Sequence, residues 1–373
     1  MRRLFSVLAV LAVVTGGSAL IDRSVVGLSA QGGKVPQYEL DSSWPPKLPN
    51  NWVWGVPTWV TVDKHDNVWV LHRPRTAMDA NAAPSVVVFD KGGKFVRAWG
   101  GPGQGFDWPD TEHAIYVDHE DNVWITGINP RAGADVSKRI DDMLLKFNKE
   151  GKFLLQVGGR DSSQGNKDVK NAHQSAEIFV HAKTNEAFVA DGYGNRRVWV
   201  IDNKTGAHKR QWGAFGNTPI DVPQPSGPAA PPPPDTPNGP DQFGIVHGMK
   251  VSTDGMVYVA DRGNRRIQVF DLNGKYLTQG FVNRTTSNSS CGTVVFSHDK
   301  AQQFIFCPDF NKGEIAIVDR KTLQTIGAFG SRGAAPGQFQ NLHSLTIDSK
   351  GNLYGPEVAP GRRLQKFSYK GLK

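Results

Sequence analysis

A single six-bladed β-propeller, closed by its own N-terminal strand, is the all-β fold that three observations in this sequence predict. A unit of about four short strands recurs six times along the 373 residues. A surplus of 41 Gly and 24 Pro, with no collagen-like period, favours short strands over long helices. The last unit lacks an outer strand, and a leftover segment at the start of the mature chain can supply it, which suits a ring and not a linear solenoid. The 10 Trp, 19 Phe and 7 Tyr can bury a large core, so a mainly disordered chain is excluded. With only two cysteines, so is a disulfide-dense miniature.

The units begin near Val56, Phe106, Asn171, Phe243, Cys291 and Phe339. Their second strands read Val68–Val70, Val123–Ile125, Ala187–Asp191, Val257–Asp261, Phe304–Phe306 and Leu353–Tyr354, and polar turns such as Asp63–Asn67, Asp118–Asn122 and Asp348–Asn352 precede them. Third strands such as Arg197–Asp202 and Arg266–Asp271 follow, then a Gly turn and endings such as Arg97–Gly100, Gln211–Gly213 and Gly327–Gly330. The sixth unit stops after Leu364–Ser368, leaving Val35–Leu40 to complete it. The runs Asp191–Val198 and Asp261–Ile267, with Asp309–Ile315 in the same frame, resemble the signature of NHL repeats. Their Asp, Asn and Arg residues are read as structural, making turn hydrogen bonds and blade-to-blade charge pairs.

Residues 1–30 read as a signal peptide, with Arg2 and Arg3 before an apolar run from Leu4 to Val14 and small residues beyond it, so the mature propeller is expected to span 31–373 in a secreted or periplasmic setting. No other stretch is long and apolar enough for a membrane helix, so no integral membrane protein is expected once the leader is removed. The formal net charge is +8, but Lys and Arg are dispersed, which argues against nucleic acid. A hairpin between Gly292–Phe296 and Phe304–Phe306 sets Cys291 opposite Cys307, and in an exported chain the pair is expected as a disulfide. Oligomeric state is not encoded in any recognisable pattern.

The chemistry comes from repeat register. Aligning the units on Val62, Val117, Val180, Val251, Phe296 and Ile347 places Thr58, His113, Ala176, His247, Gly292 and His343 four positions earlier. First strands line a propeller's channel, so equal register means equal depth, and histidines on alternate blades aim at one point. Three neutral imidazoles with an open fourth position suit a catalytic zinc, and imidazole also suits copper, iron and nickel. Arg73 and Tyr193 project from second-strand ends on the same face. The long connections Thr76–Pro84, Gly127–Asp142, Arg160–Lys170 and the Pro-rich 217–241 insertion, with its polyproline run Pro231–Pro234, gather there as well.

His72 and Arg73, the stretch from Trp108 to Val117, Val189–Tyr193, Val246–Asp261 and Leu342–His343 resemble the corresponding stretches of the peptidyl-α-hydroxyglycine α-amidating lyase family, over roughly residues 50–370. That family cleaves the N–Cα bond of a C-terminal α-hydroxyglycine to a peptide amide and glyoxylate. The resemblance implies zinc on His113, His247 and His343, Tyr193 as base on the substrate hydroxyl, and Arg73 binding substrate and tuning the tyrosine. The chain departs from the pattern at three places. Asn341 stands for a methionine, Gly194 replaces a disulfide cysteine, and Ser344 replaces an aspartate that binds a structural calcium in the family, leaving only the backbone carbonyls of Val60 and Ile115 to hold one.

The leading expectation is an exported zinc lyase acting on a carbinolamide, with a peptide or small-molecule substrate. The alternative from another class is a non-catalytic propeller that binds protein or glycan through its loop face. A third is a lactonase-like hydrolase, although such propellers hold metal mainly with carboxylates and Asn, and the register here supplies histidine.

Overall fold

The computed structural model describes residues 34–129, 139–221 and 236–373, so the 1–30 leader, Pro231–Pro234 and parts of two long loops lie outside the described residues. Within them the chain forms six four-stranded antiparallel sheets. Strand β1 (Pro36–Asp41) opens the chain. The first blade follows as β2 (Val56–Val62), β3 (Val68–Arg73), β4 (Val86–Phe89) and β5 (Phe95–Trp99), the second as β6 (Glu112–Val117), β7 (Val123–Gly127), β8 (Met143–Phe147) and β9 (Phe153–Gly158). The third is β10 (Glu177–His181), β11 (Glu186–Asp191), β12 (Arg197–Asp202) and β13 (His208–Trp212), and the fourth β14 (Val246–Val251), β15 (Val257–Asp261), β16 (Arg266–Phe270) and β17 (Tyr276–Phe281). The fifth is β18 (Val295–Phe296), β19 (Phe304–Asp309), β20 (Glu314–Asp319) and β21 (Thr325–Phe329). The last has only β22 (Thr346–Ile347), β23 (Leu353–Glu357) and β24 (Arg363–Leu372) of its own, and β1 pairs antiparallel with β24 to complete it, Leu40 opposite Phe367.

Burial explains why the second strands read as continuous apolar runs. Every residue of β3, β7, β11, β15, β19 and β23 is buried, because both faces pack against neighbouring blades, whereas the outer β5, β9, β13 and β17 are half-exposed. Between the first two blades Trp69 and Trp108 pack with Leu71, Ile115 and Phe147, each such side chain contributing about 1.5–3 kcal/mol. Aspartates shape the short turns at one end. Asp63 accepts the backbone N–H of His65 (2.8 Å) and Asn67 (2.9 Å), and Asp118 accepts those of Glu120 and Asn122, letting Asp66 and Asp121 take left-handed φ near 63°.

Two details correct the sequence reading. The second arginine of each motif makes its ion pair within its own blade, Arg197 Nε meeting Asp191 Oδ2 at 2.8 Å and Arg266 Nε meeting Asp261 Oδ2 at 2.8 Å, all fully buried, while Arg196 reaches the next blade, donating to Phe243 O within the field of Asp261. The reason is register, since Asp191 faces Arg197 and Asp261 faces Arg266 across the hairpin. The cysteines do bond, with Cα atoms 4.4 Å apart, but not as rungs of a ladder. The observed pairs are Val295 with Phe306 and Phe296 with Ile305, so β18 is too short to include Cys291, which reaches Cys307 from a bend at φ 57°.

Candidate metal centre

The first strands carry the site because their ladders slip where the site residues stand. Pairing shifts between Pro57 and Trp59 in β2, between Glu112 and Ile115 in β6, and between Val246 and Gly248 in β14. Each slip leaves Thr58, His113 or His247 without a ladder partner, and bulges of this kind are common beside functional sites. His343 sits just before β22, its N–H bonded to Pro356 O at 3.0 Å.

His113, His247 and His343 come together as the register predicts. Their ring centroids are 5.1, 4.8 and 4.9 Å apart pairwise, and one nitrogen from each lies within 4.8 Å of the others. The intervening blades orient them. His113 Nδ1 donates to Ala176 O (2.7 Å), His247 Nδ1 to Gly292 O (2.6 Å) and His343 Nδ1 to Thr58 O (2.8 Å). These acceptors are the small residues at the histidine register in the odd blades. The sequence shows them as gaps between histidines, and the structure makes them acceptors. A carbonyl oxygen can only accept, so each Nδ1 carries the proton and each Nε2 presents a lone pair to the centre.

Tyr193 closes the opening above the triad, its phenol oxygen 3.2 Å from His113 Nε2 and 3.1 Å from His247 Nε2. One phenolic proton cannot satisfy both lone pairs. The glycines beside it fix its position: a Cβ at Gly192 would lie 2.1 Å from Val246 O, and one at Gly194 would lie 2.1 Å from the His173 ring. His173 therefore fills the space beside Gly194, held by Asp142 at 2.7 Å, while Tyr193 N and Gly194 N bond to Gln174 O and His173 O. The pattern Gly-Tyr-Gly carried this signal, since paired glycines admit close backbone approach.

Burial, then the charges of His343 and Arg73, hold His113 well below the usual imidazole range, and burial followed by Arg262 and His343 does the same for His247. Both shifts favour the neutral imidazole that metal ligation requires. Arg73 is buried in β3 with Nε donating to Glu112 O at 2.9 Å, directly before His113. Two residues went unread in the sequence. Arg262 lies over the Tyr193 ring at 5.3 Å with its Nε buried and unpartnered, and Trp59 touches all three histidines. Arg262 was hidden inside the repeat motif, and Trp59 inside an apolar strand.

The donor set fits a transition metal: three Nε2 lone pairs converge with too few protons to satisfy them, and among the described residues no other such cluster of His, Cys, Asp or Glu occurs. It does not fit calcium, which takes six to eight oxygens, usually with carboxylates. Val60 and Ile115 are buried ladder residues facing Val70 and Ile125, and Ser344 offers only a neutral hydroxyl.

Fold and centre define a class first, a six-bladed β-propeller with a buried histidine triad, and the NHL repeat family model matches residues 243–270 of it. Particular relatives then follow. The chain is 26% identical over 363 residues to NHL repeat-containing protein 3 of Homo sapiens, covering 94% of this chain and 89% of that protein. It is 25% identical over 371 residues to peptidyl-alpha-hydroxyglycine alpha-amidating lyase 1 of Drosophila melanogaster, covering 90% of this chain and 60% of that one. Among solved structures a streptogramin B lyase superposes with a TM-score of 0.51 at 12% identity, covering 91% of this chain and 98% of that one, a likeness of fold alone. The relative named a lyase supports a lyase-type propeller.

Proposed function

We propose that the protein is an exported, zinc-dependent lyase that cleaves the C–N bond of an α-hydroxyglycine-type carbinolamide to an amide and glyoxylate. The observation that carries this reading is the Tyr193 phenol oxygen set 3.2 and 3.1 Å from two of three convergent imidazole nitrogens. His113, His247 and His343 would hold the zinc, which would supply electrostatic stabilisation for an oxyanion developing on the substrate hydroxyl. Tyr193 takes the hydroxyl proton, the C–O bond closes to the aldehyde of glyoxylate, the C–N bond breaks, and the proton passes to the departing amide nitrogen. Arg262 lies over the phenol ring at 5.3 Å, and the planar guanidinium of Arg73 suits the substrate carboxylate. The leader-like pattern of residues 1–30 supports a periplasmic or extracellular setting for this activity.

A non-catalytic binding propeller is the second reading, favoured by full-length likeness to a relative whose name carries no activity. Glyoxylate release from a peptide capped with α-hydroxyglycine separates the two. Turnover that falls by about 100-fold or more in Tyr193→Phe, with metal content unchanged, supports the lyase. No turnover by wild-type protein loaded with zinc overturns it.

A further inference from the structure

The most conspicuous group at the centre that the reaction does not use is an indole. Trp59 is buried in β2, with its ring centroid 5.5 Å from His113, 5.8 Å from His247 and 5.8 Å from His343. The three imidazoles form a nearly equilateral triangle with shorter sides of 5.1, 4.8 and 4.9 Å. A point almost equally far from all three corners, and farther than the corners are from one another, lies on the axis of that triangle and out of its plane. The indole therefore sits on the channel axis.

Its side of the plane follows from the strand. Chain direction in β2 runs from the Tyr193 face inward, Trp59 is the residue after the triad-level Thr58, and the strand ends at Val62 on the wall of a cavity of about 830 Å³ at the opposite mouth. Trp59 thus lies between the histidines and that cavity. The other blades make room for one large ring at this level. Their corresponding residues are Ala114, Gly248, Thr293 and Ser344, which are small, and Glu177, whose carboxylate is turned to Met249 N and the Lys250 ammonium. A Cβ at Gly248 would already meet Gly292 O at 2.9 Å.

We propose that Trp59 is a positioning residue that floors the histidine centre, giving it a single entrance on the Tyr193 face and holding the three imidazoles in convergence. The inference rests on the metal reading above. An aromatic floor keeps water of the opposite cavity from the inner side of the centre, and hydrophobic surroundings of this kind control access to a bound metal. It also occupies the axial space that a second cation deeper in the channel would need.

The test uses the full chain stripped of metal and titrated with Co²⁺, with bound metal measured directly and tryptophan emission followed in parallel. Wild type is expected to bind Co²⁺ with quenching of part of its emission. Trp59→Phe should bind the same amount with that quenched component gone, although nine other tryptophans remain of the 10. Trp59→Ala should lose bound Co²⁺ to a chelator roughly 10-fold faster than wild type, while Trp59→Phe stays close to wild type because a ring still covers the axis. Equal chelator rates in all three proteins, or unchanged quenching in Trp59→Phe, overturn the floor while leaving the metal reading intact. Failure of wild type to bind Co²⁺ removes the metal reading and the floor with it.

Discussion

The two mouths of the propeller channel make opposite use of polar groups. At the far mouth a cavity of about 830 Å³ is ringed by carboxylates of Asp63, Asp66, Asp254, Asp299 and Asp348, and it looks at first like the better binding site. Yet those carboxylates are occupied by the fold. Asp63 accepts from Asn67 and from Trp69 Nε1, Asp348 from Asn352 and the Tyr354 hydroxyl, Asp66 from Ser349 and Asp254 from Arg320. At the near mouth two imidazole nitrogens share one phenolic proton and the Arg262 Nε is buried without a partner. Unsatisfied buried groups, more than empty volume, mark where a ligand is missing.

That contrast can be broken by substitutions at either end. The largest expected effect is at the near mouth, where His247→Ala should lower glyoxylate release by about 100- to 1000-fold, the scale set by losing electrostatic stabilisation of an oxyanion. Gly194→Ala comes next. Its Cβ would lie 2.1 Å from the His173 ring and 2.6 Å from His173 O, so the Tyr193 loop must shift, and a misplacement of about 1 Å costs roughly 100-fold in turnover. Thermal unfolding of this variant should change far less than its turnover.

At the far mouth the order reverses. Asp63→Ala leaves the buried Trp69 Nε1 and turn amides unpaired, which should cost about 1–3 kcal/mol in denaturant unfolding, with turnover per folded molecule unchanged. A loss of turnover there would undo the contrast.

The smallest effect is a pH dependence. Burial lowers the His173 pKa, but the hydrogen bond and charge of Asp142 outweigh it and raise the value above the ordinary one. A raised folded-state pKa means that protonated His173 stabilises the fold below the unfolded value of about 6.5, and that this contribution is lost as pH rises through the folded value. Wild-type stability should therefore decline across that window relative to His173→Gln. Parallel pH profiles of the two proteins would show that the pair does not support the Tyr193 loop.

Most of the fold was legible because a propeller writes itself repeatedly. Asp-capped turns, apolar second strands and Gly turns recur, and the segment at Val35–Leu40 was visible as a strand without a partner. The triad was legible for the same reason, since His113, His247 and His343 share one register position. Three features were not. The slips in β2, β6 and β14 depend on how two strands settle against each other, and no local residue announces them. Trp59 reads as an ordinary core residue in Val56–Val62, because only closure of the ring brings it near residues on three other blades. The Cys291–Cys307 register was misread because β18 is only Val295–Phe296, and a bend does the work assigned to a ladder.

The central claim is that His113, His247 and His343 form a single metal centre, and elemental analysis of purified protein tests it most directly. Wild-type protein is predicted to carry one transition-metal ion per chain, zinc for preference, and the double variant His113→Ala, His247→Ala, still folded by its unfolding transition, to carry none. A wild-type protein that takes up no transition metal on reconstitution, or a folded double variant with the same metal content as wild type, would contradict it.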